Sequence, residues 1–285
     1  MDLLTHGAVK RLKRTALRRP EVALHLAAQL GVVLGPGSRW APTAAEVETV
    51  LGVADPRGIR AIQRRIAANG LRDVTLGAVV NRRGLAAAGD RVRVLHEDRL
   101  LEPRTVGTPT VLVFGHFGAA RGVTAALERL GIPSQVASMR RKPAAGGLVE
   151  VVRVRGPASG ARFLRRSLAR LPEGVVPGLA FDCHGAQQAS FLGRRVGVAR
   201  GIALLASRGA LLLPVTTRWV GNTGSIETEF HPAFPQPGPT PCAAEERAWV
   251  AGIAGWFEGY VRRHPGELRL GRLQQLARAP QVKGS

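Results

Sequence analysis

The run Val111-Leu112-Val113-Phe114, set between Pro109 and Gly115, limits the fold more than any other stretch of the chain. Four apolar residues, two of them β-branched, bounded by a proline and a glycine, describe a short strand buried on both faces. Gly115-His116-Phe117-Gly118 then makes a glycine-flanked turn, and Gly122 to Leu130 carries apolar residues at helical spacing. A doubly buried strand followed by a helix belongs to a mainly parallel sheet. His116 therefore stands at the carboxyl edge of that sheet, beside the N–H groups that open the next helix.

The rest of the chain repeats the alternation. Strands are expected at Arg91–His96, Ser134–Ser138, Val149–Arg155, Val175–Phe181, Ala210–Thr217 and Ile226–Phe230. Helices are expected between them at Gly160–Leu171 and Arg200–Arg208, and after the proline-rich stretch 232–241 at Ala243–Arg263. Upstream, Ala44–Leu51 and Pro56–Asn69 read as helices, the second stopped by Asn69-Gly70, with a further short helix over Thr75–Leu85. The fold class is α/β, a mainly parallel central sheet with helices on both faces and an N-terminal helical extension. The 285 residues suit one such domain. Residues 1–74 form the extension, a candidate membrane-surface anchor, residues 75–276 the α/β domain, and residues 277–285 a disordered tail.

Several segments, in this order, resemble the bacterial lipid A late acyltransferases, within the glycerolipid acyltransferase superfamily. The strand ending in His116-Phe117-Gly118 is similar to the start of their site, and Gly178-Leu179-Ala180-Phe181-Asp182 to a second site strand with a terminal acid. Phe191-Leu192-Gly193-Arg194-Arg195, leading to a helix from Gly201 and a strand reaching Pro214, resembles the stretch after it. Tyr260 to Pro265 resembles the C-terminal helix ending, so the likeness spans residues 75–268. It implies lipid biosynthesis by acyl transfer, with His116 as general base and no metal or bound cofactor. Ser138 to Pro143 sits where the family carries a site arginine, and Arg153 or Arg155 where it holds phosphate or the acyl donor. The resemblance thus gives Arg140, Arg141, Arg153 and Arg155, with Gly115, Phe117 and Gly118 of the turn, a substrate-binding role.

One departure matters. The family's signature is His, four residues, then Asp or Glu, and here that last position is Arg121. A guanidinium donates hydrogen bonds and accepts none, so it cannot orient an imidazole or stabilise its protonated form. As a base, His116 needs its acid from elsewhere, and Asp182, ending another buried strand, is the candidate. Arg121 is then a candidate for binding substrate phosphate. Two other readings stand beside this one: the relic of a base in a protein that binds lipid or an acyl carrier, and a structural histidine at a helix start.

The net charge of +21 comes from 41 Lys and Arg against 20 Asp and Glu. Such a field attracts phosphate-bearing partners, and the half that carries His116 is the most basic, with Glu128, Glu150 and Glu173 its only acids between Pro103 and Phe181. An acyl donor on coenzyme A or acyl carrier protein, and an anionic membrane lipid, fit this excess. Nucleic acid is not expected, because one Tyr, eight Phe and four Trp are not interleaved with the basic residues. Cys183 and Cys242 are too few for a disulfide framework, and Cys183 or the Asp182/His184 pair is a thin basis for a thiol nucleophile or a metal site.

The first residues add a second basic feature. Lys10, Arg11, Lys13, Arg14, Arg18 and Arg19 precede Pro20, and the apolar run Val22 to Leu34 is too short for the roughly 20 residues that span a bilayer. It reads either as an amphipathic anchor at an anionic surface or as a two-helix cap on the core. The expected place is peripheral, on the cytoplasmic face of the cell membrane.

Overall fold

The computed structural model of the chain describes residues 2–138, 147–182, 185, 187–238 and 242–282. Its first helices are α1 (Asp2–Arg18) and α2 (Pro20–Leu34), parted where Pro20, fit for a first helical turn, cannot continue the helix before it. α3 (Ala44–Leu51) starts at a reciprocal cap between Thr43 and Glu46 and ends at Gly52, which is left-handed with φ 68°. α4 (Pro56–Arg83) then runs unbroken for 28 residues from its Asp55 cap.

This is the largest departure from expectation, because neither the stop at Asn69-Gly70 nor a separate helix from Thr75 is formed. Asn69 does not cap a helix end but donates from its side chain to Gly266 O (3.1 Å) and Glu267 Oε2 (3.2 Å). Ile59, Ile62, Ile66, Leu71, Leu76 and Val80 are buried along the same helix. At up to about 2 kcal/mol each, their burial outweighs the ~1 kcal/mol cost of a glycine within a helix. The boundary expected at residue 74 consequently falls inside α4. α2 crosses α4 closely, a Cβ at Gly31 lying 2.3 Å from Ala68 Cα, so α1 and α2 do form a cap packed on the core.

Next come α5 (Ala86–Gly89), β1 (Val92–Leu95), α6 (Asp98–Thr105), β2 (Thr110–Phe114), α7 (Gly122–Arg129), β3 (Ser134–Ser138), β4 (Val149–Arg153), α8 (Pro157–Arg170) and β5 (Val176–Ala180). A hairpin, β6 (Gln187–Phe191) and β7 (Arg194–Val198), precedes α9 (Gly201–Ala206), β8 (Leu211–Val220), β9 (Ser225–Phe230), α10 (Ala243–Arg263) and α11 (Leu270–Arg278). Seven strands form one sheet in the order β1-β9-β8-β2-β5-β3-β4. β8, β2, β5, β3 and β4 are parallel, whereas β9 turns back against β8 and β1 follows β9. The expected α/β class holds. Val111 and Val113 of β2 enter a core shared with α3, α4, α10 and α11, and Leu112 enters another with α7, so both faces of the strand are covered.

Two further features differ from the sequence reading. The β6–β7 hairpin turns on Leu192 and Gly193, both at positive φ (53° and 68°), where Asn-Gly or Asp-Gly is the usual signal. Leu192 N donates to Glu258 Oε2 of α10 at 2.7 Å, which helps hold this uncommon turn. The tail expected to be disordered from residue 277 is ordered through Val282. α11 reaches Arg278, and Arg195 N bonds Pro280 O (3.1 Å) while Val282 N bonds Gly193 O (3.1 Å).

Candidate active site

Strand register brings His116 and Asp182 together. Phe114 of β2 lies opposite Ala180 of β5, so two residues further along each chain His116 meets Asp182. Phe181 N donates to Phe114 O at 2.8 Å, and beyond it the strands part. His116 Nδ1 stands 2.8 Å from Asp182 Oδ1, and the His116 backbone N–H donates to the same carboxylate at 3.2 and 3.3 Å. The carboxylate side chain is 1% exposed and the imidazole 39%. With Asp182 ionised, Nδ1 carries the proton, which leaves the lone pair on Nε2 of a ring open to solvent.

A third residue completes the group. Arg272 of α11, buried, places Nε 3.0 Å from Asp182 Oδ2, a charge contact without the alignment of a hydrogen bond. Burial alone would raise the Asp182 pKa, but the charge and hydrogen bond of His116, followed by Arg272, hold it below the ordinary carboxylate value. No sequence signal marked Arg272. It lies ninety positions beyond Asp182, on a helix the apolar pattern did not announce.

The turn that carries His116 is fixed by its neighbours. A Cβ on Gly115 would come 2.2 Å from the Phe117 ring, and one on Gly118, with φ 63°, would come 1.6 Å from Thr217 O. Only glycine fits either position. Phe117, expected at the substrate, is buried against Phe257 and Tyr260, so its part is to anchor the turn. The segment before α11 closes over the turn: Gly118 N donates to Glu267 O (2.8 Å), and the Arg269 guanidinium donates to Phe117 O and Gly118 O (both 3.3 Å).

Arg121 lies against α4. Its Nη1 donates to Asp73 O at 3.2 Å, and a Cβ at Gly77 would lie 3.0 Å from both terminal guanidinium nitrogens. The glycine inside α4 thus makes room for the Arg121 guanidinium. Asp73 is a second carboxylate near the turn, half-buried, with Oδ1 accepting from Ala120 N at 3.0 Å. Burial pushes its pKa up, against the opposing pull of Arg269, the Ala120 amide and Arg121.

Three amides near the start of α7 are committed within the protein: Gly118 N to Glu267 O, Ala120 N to Asp73, and Gly122 N to Ala119 O. An oxyanion must find other donors. Arg153 ends β4 opposite Ser138, half-buried, with Nε unpartnered among the described residues, and Arg155 beyond it is exposed. Both lie on the side of the sheet away from β8, with β4 three strands from β2, or about 14 Å at the usual spacing. Arg140, Arg141, Lys142, Cys183 and His184 fall outside the described residues. Among the described residues no three His, Cys, Asp or Glu side chains are grouped to hold a metal ion, and no helix is long and apolar enough to cross a membrane.

No family model and no curated protein matches the chain. Among solved structures it is similar to the crystal structure of the 1-acyl-sn-glycerophosphate (LPA) acyltransferase PlsC from Thermotoga maritima. The TM-score is 0.38 at 13% sequence identity, over 86% of this chain and 97% of that one.

Proposed function

We propose that the chain is an acyltransferase that moves a fatty acyl group from an acyl thioester, on acyl carrier protein or coenzyme A, to a lipid or glycolipid acceptor. The observation that carries this reading is the 2.8 Å contact between His116 Nδ1 and Asp182 Oδ1, which gives the exposed imidazole the orienting acid that Arg121 cannot supply. Nε2 removes the proton of the acceptor hydroxyl as its oxygen attacks the thioester carbonyl. The tetrahedral intermediate then expels the thiolate, which takes the proton from the imidazolium. Asp182 stays ionised throughout and balances the imidazolium charge. The relic reading loses its main support once an acid is in place.

His116→Ala should lower transfer from an acyl thioester by about two to four orders of magnitude in a protein whose circular dichroism is unchanged. Transfer within about threefold of wild type, well below that range, would overturn the assignment.

Peripheral binding at the cytoplasmic face of an anionic membrane is part of the same proposal. Lys10, Arg11, Lys13, Arg14 and Arg18 are exposed on α1, and Val22, Leu26 and Val33 are exposed on α2, so cations and apolar side chains share the outer surface of the cap. Each cation near such a surface contributes about 1 kcal/mol. Lys10→Glu, Arg11→Glu and Arg14→Glu together should therefore abolish co-sedimentation with anionic phospholipid vesicles. Deleting the whole cap is a poorer test, since Leu12, Ala16, Leu24 and Ala27 are buried beneath it. Equal binding of the intact chain to neutral and anionic vesicles would leave α1 and α2 as a cap alone.

A further inference from the structure

Behind Asp182 lies a cavity of about 140 Å³ lined by Asp182, Arg195, Val196, Gly197, Arg272, Gln275, Leu276 and Ala279. Among the described residues His116 does not line it, whereas Asp182 and Arg272 do, so the cavity adjoins the candidate active site through those two side chains. Two of the lining side chains are guanidiniums. Arg195, on β7, is exposed at the rim, while Arg272 is 8% exposed and donates through Nη1 to Gln275 Oε1 at 2.8 Å. Its Nη2 is buried and has no hydrogen-bond partner among the described residues.

A buried guanidinium nitrogen without an acceptor is costly, and native proteins rarely leave one so. Asp182 does not meet that need, for it already serves His116 through a ring nitrogen and an amide and faces Arg272 at Nε. The volume is about ten times what one water requires. Planar donor forks of this kind match the oxygens of phosphate. Arg195 and Arg272 against the single charge of Asp182 leave a net positive wall.

We propose that this cavity binds a phosphate-type oxyanion, held by Arg272 from within and Arg195 from the rim, with the Gln275 amide beside them. The site stands on its own geometry and does not require the transfer reaction. It has one consequence for that reaction: Arg272 faces both the anion and Asp182, so an occupant draws on the charge that keeps Asp182 ionised.

The test is titration calorimetry of the full chain at constant chloride, with inorganic phosphate in one arm and glycerol 3-phosphate in the other. Wild type should bind one equivalent saturably, and Arg195→Ala and Arg272→Lys should each weaken binding about tenfold or more, as loss of a charge-assisted contact predicts. Arg278→Ala, on the same helix but outside the wall, should bind as wild type does, which separates the site from general attraction to a basic surface. Tighter binding of glycerol 3-phosphate identifies a phosphoryl group carried on a ligand, and equal or weaker binding identifies the free ion. Absence of saturable binding, or binding that neither Arg195→Ala nor Arg195→Glu alters, means that the cavity holds water and overturns the proposal. The two Arg195 substitutions decide the matter even where Arg272→Lys fails to fold.

Discussion

Asp182 and Asp73 hold the same turn from two sides, and their surroundings displace them in opposite directions. Asp182 ends a strand of the parallel sheet, nearly sealed from solvent, where His116 and Arg272 overcome the effect of burial and keep it ionised. Asp73 belongs to α4 and binds the backbone of Ala120, and there burial prevails over Arg269 and Arg121. The difference shows that proximity to the His116 turn does not by itself bring a carboxylate to the imidazole. One acid meets the imidazole ring, and the other ties down the peptide that follows it.

The comparison breaks most readily in activity. Asp182→Asn should reduce acyl transfer by about three to four orders of magnitude, the scale seen when an orienting aspartate is made neutral. Asp73→Asn keeps an oxygen for Ala120 N and should stay within a few-fold of wild type, well short of the loss of an orienting acid. Equal losses in steady-state kinetics would mean that the two acids act as one unit.

The effect of pH on stability sharpens the contrast. Asp182 is depressed in the fold, so its contribution is present above the unfolded aspartate value of about 3.9 and is lost as pH falls through the lower folded value. Asp73 is raised, so its ionised form opposes folding at neutral pH, and that cost disappears as pH drops through its folded value. In urea unfolding across acid pH, Asp182→Asn should therefore flatten the loss below about pH 4. Asp73→Asn should instead gain stability near neutrality and lose that gain in acid. Parallel curves for both variants would remove the distinction.

The smallest expected effect is at Arg121. Arg121→Glu sets a carboxylate beside Asp73, away from the ring contact of His116, and should lower stability by about 0.5–1 kcal/mol without raising activity. A gain in activity would mean that the carboxylate at 121 reaches the imidazole after all.

Much of this arrangement was legible because it depends on local pattern. Val111–Phe114 lies between Pro109 and Gly115 and Val175–Phe181 follows Gly174, both short and mostly apolar, and the residue that follows such a strand in a parallel sheet arrives at its carboxyl edge. His116 and Asp182 could be placed in that way, although their adjacency required β2 to pair with β5 rather than with β3, which follows it in sequence. The continuity of α4 was hidden because Asn69-Gly70 has the chemistry of a stop, and the acceptors that hold the Asn69 side-chain amide, Gly266 O and Glu267 Oε2, are distant in sequence. Arg272 was beyond reach for a similar reason: an arginine on an amphipathic helix looks solvated until the fold sets a buried carboxylate against it.

The order in which the chain leaves the ribosome gives the closure of the turn a further meaning. Every strand of the main sheet ends by Phe230, yet His116 O meets Arg269 N, Gly118 N meets Glu267 O, and Asp182 faces Arg272, all from a segment made after the whole sheet. A nascent chain can thus gather its sheet while the imidazole turn is still unclamped, and the group around His116 is finished only after the residues through Arg272 have been made. A protein cut short before Glu267 would keep the strands that position His116 and lose these later contacts with its turn and with Asp182.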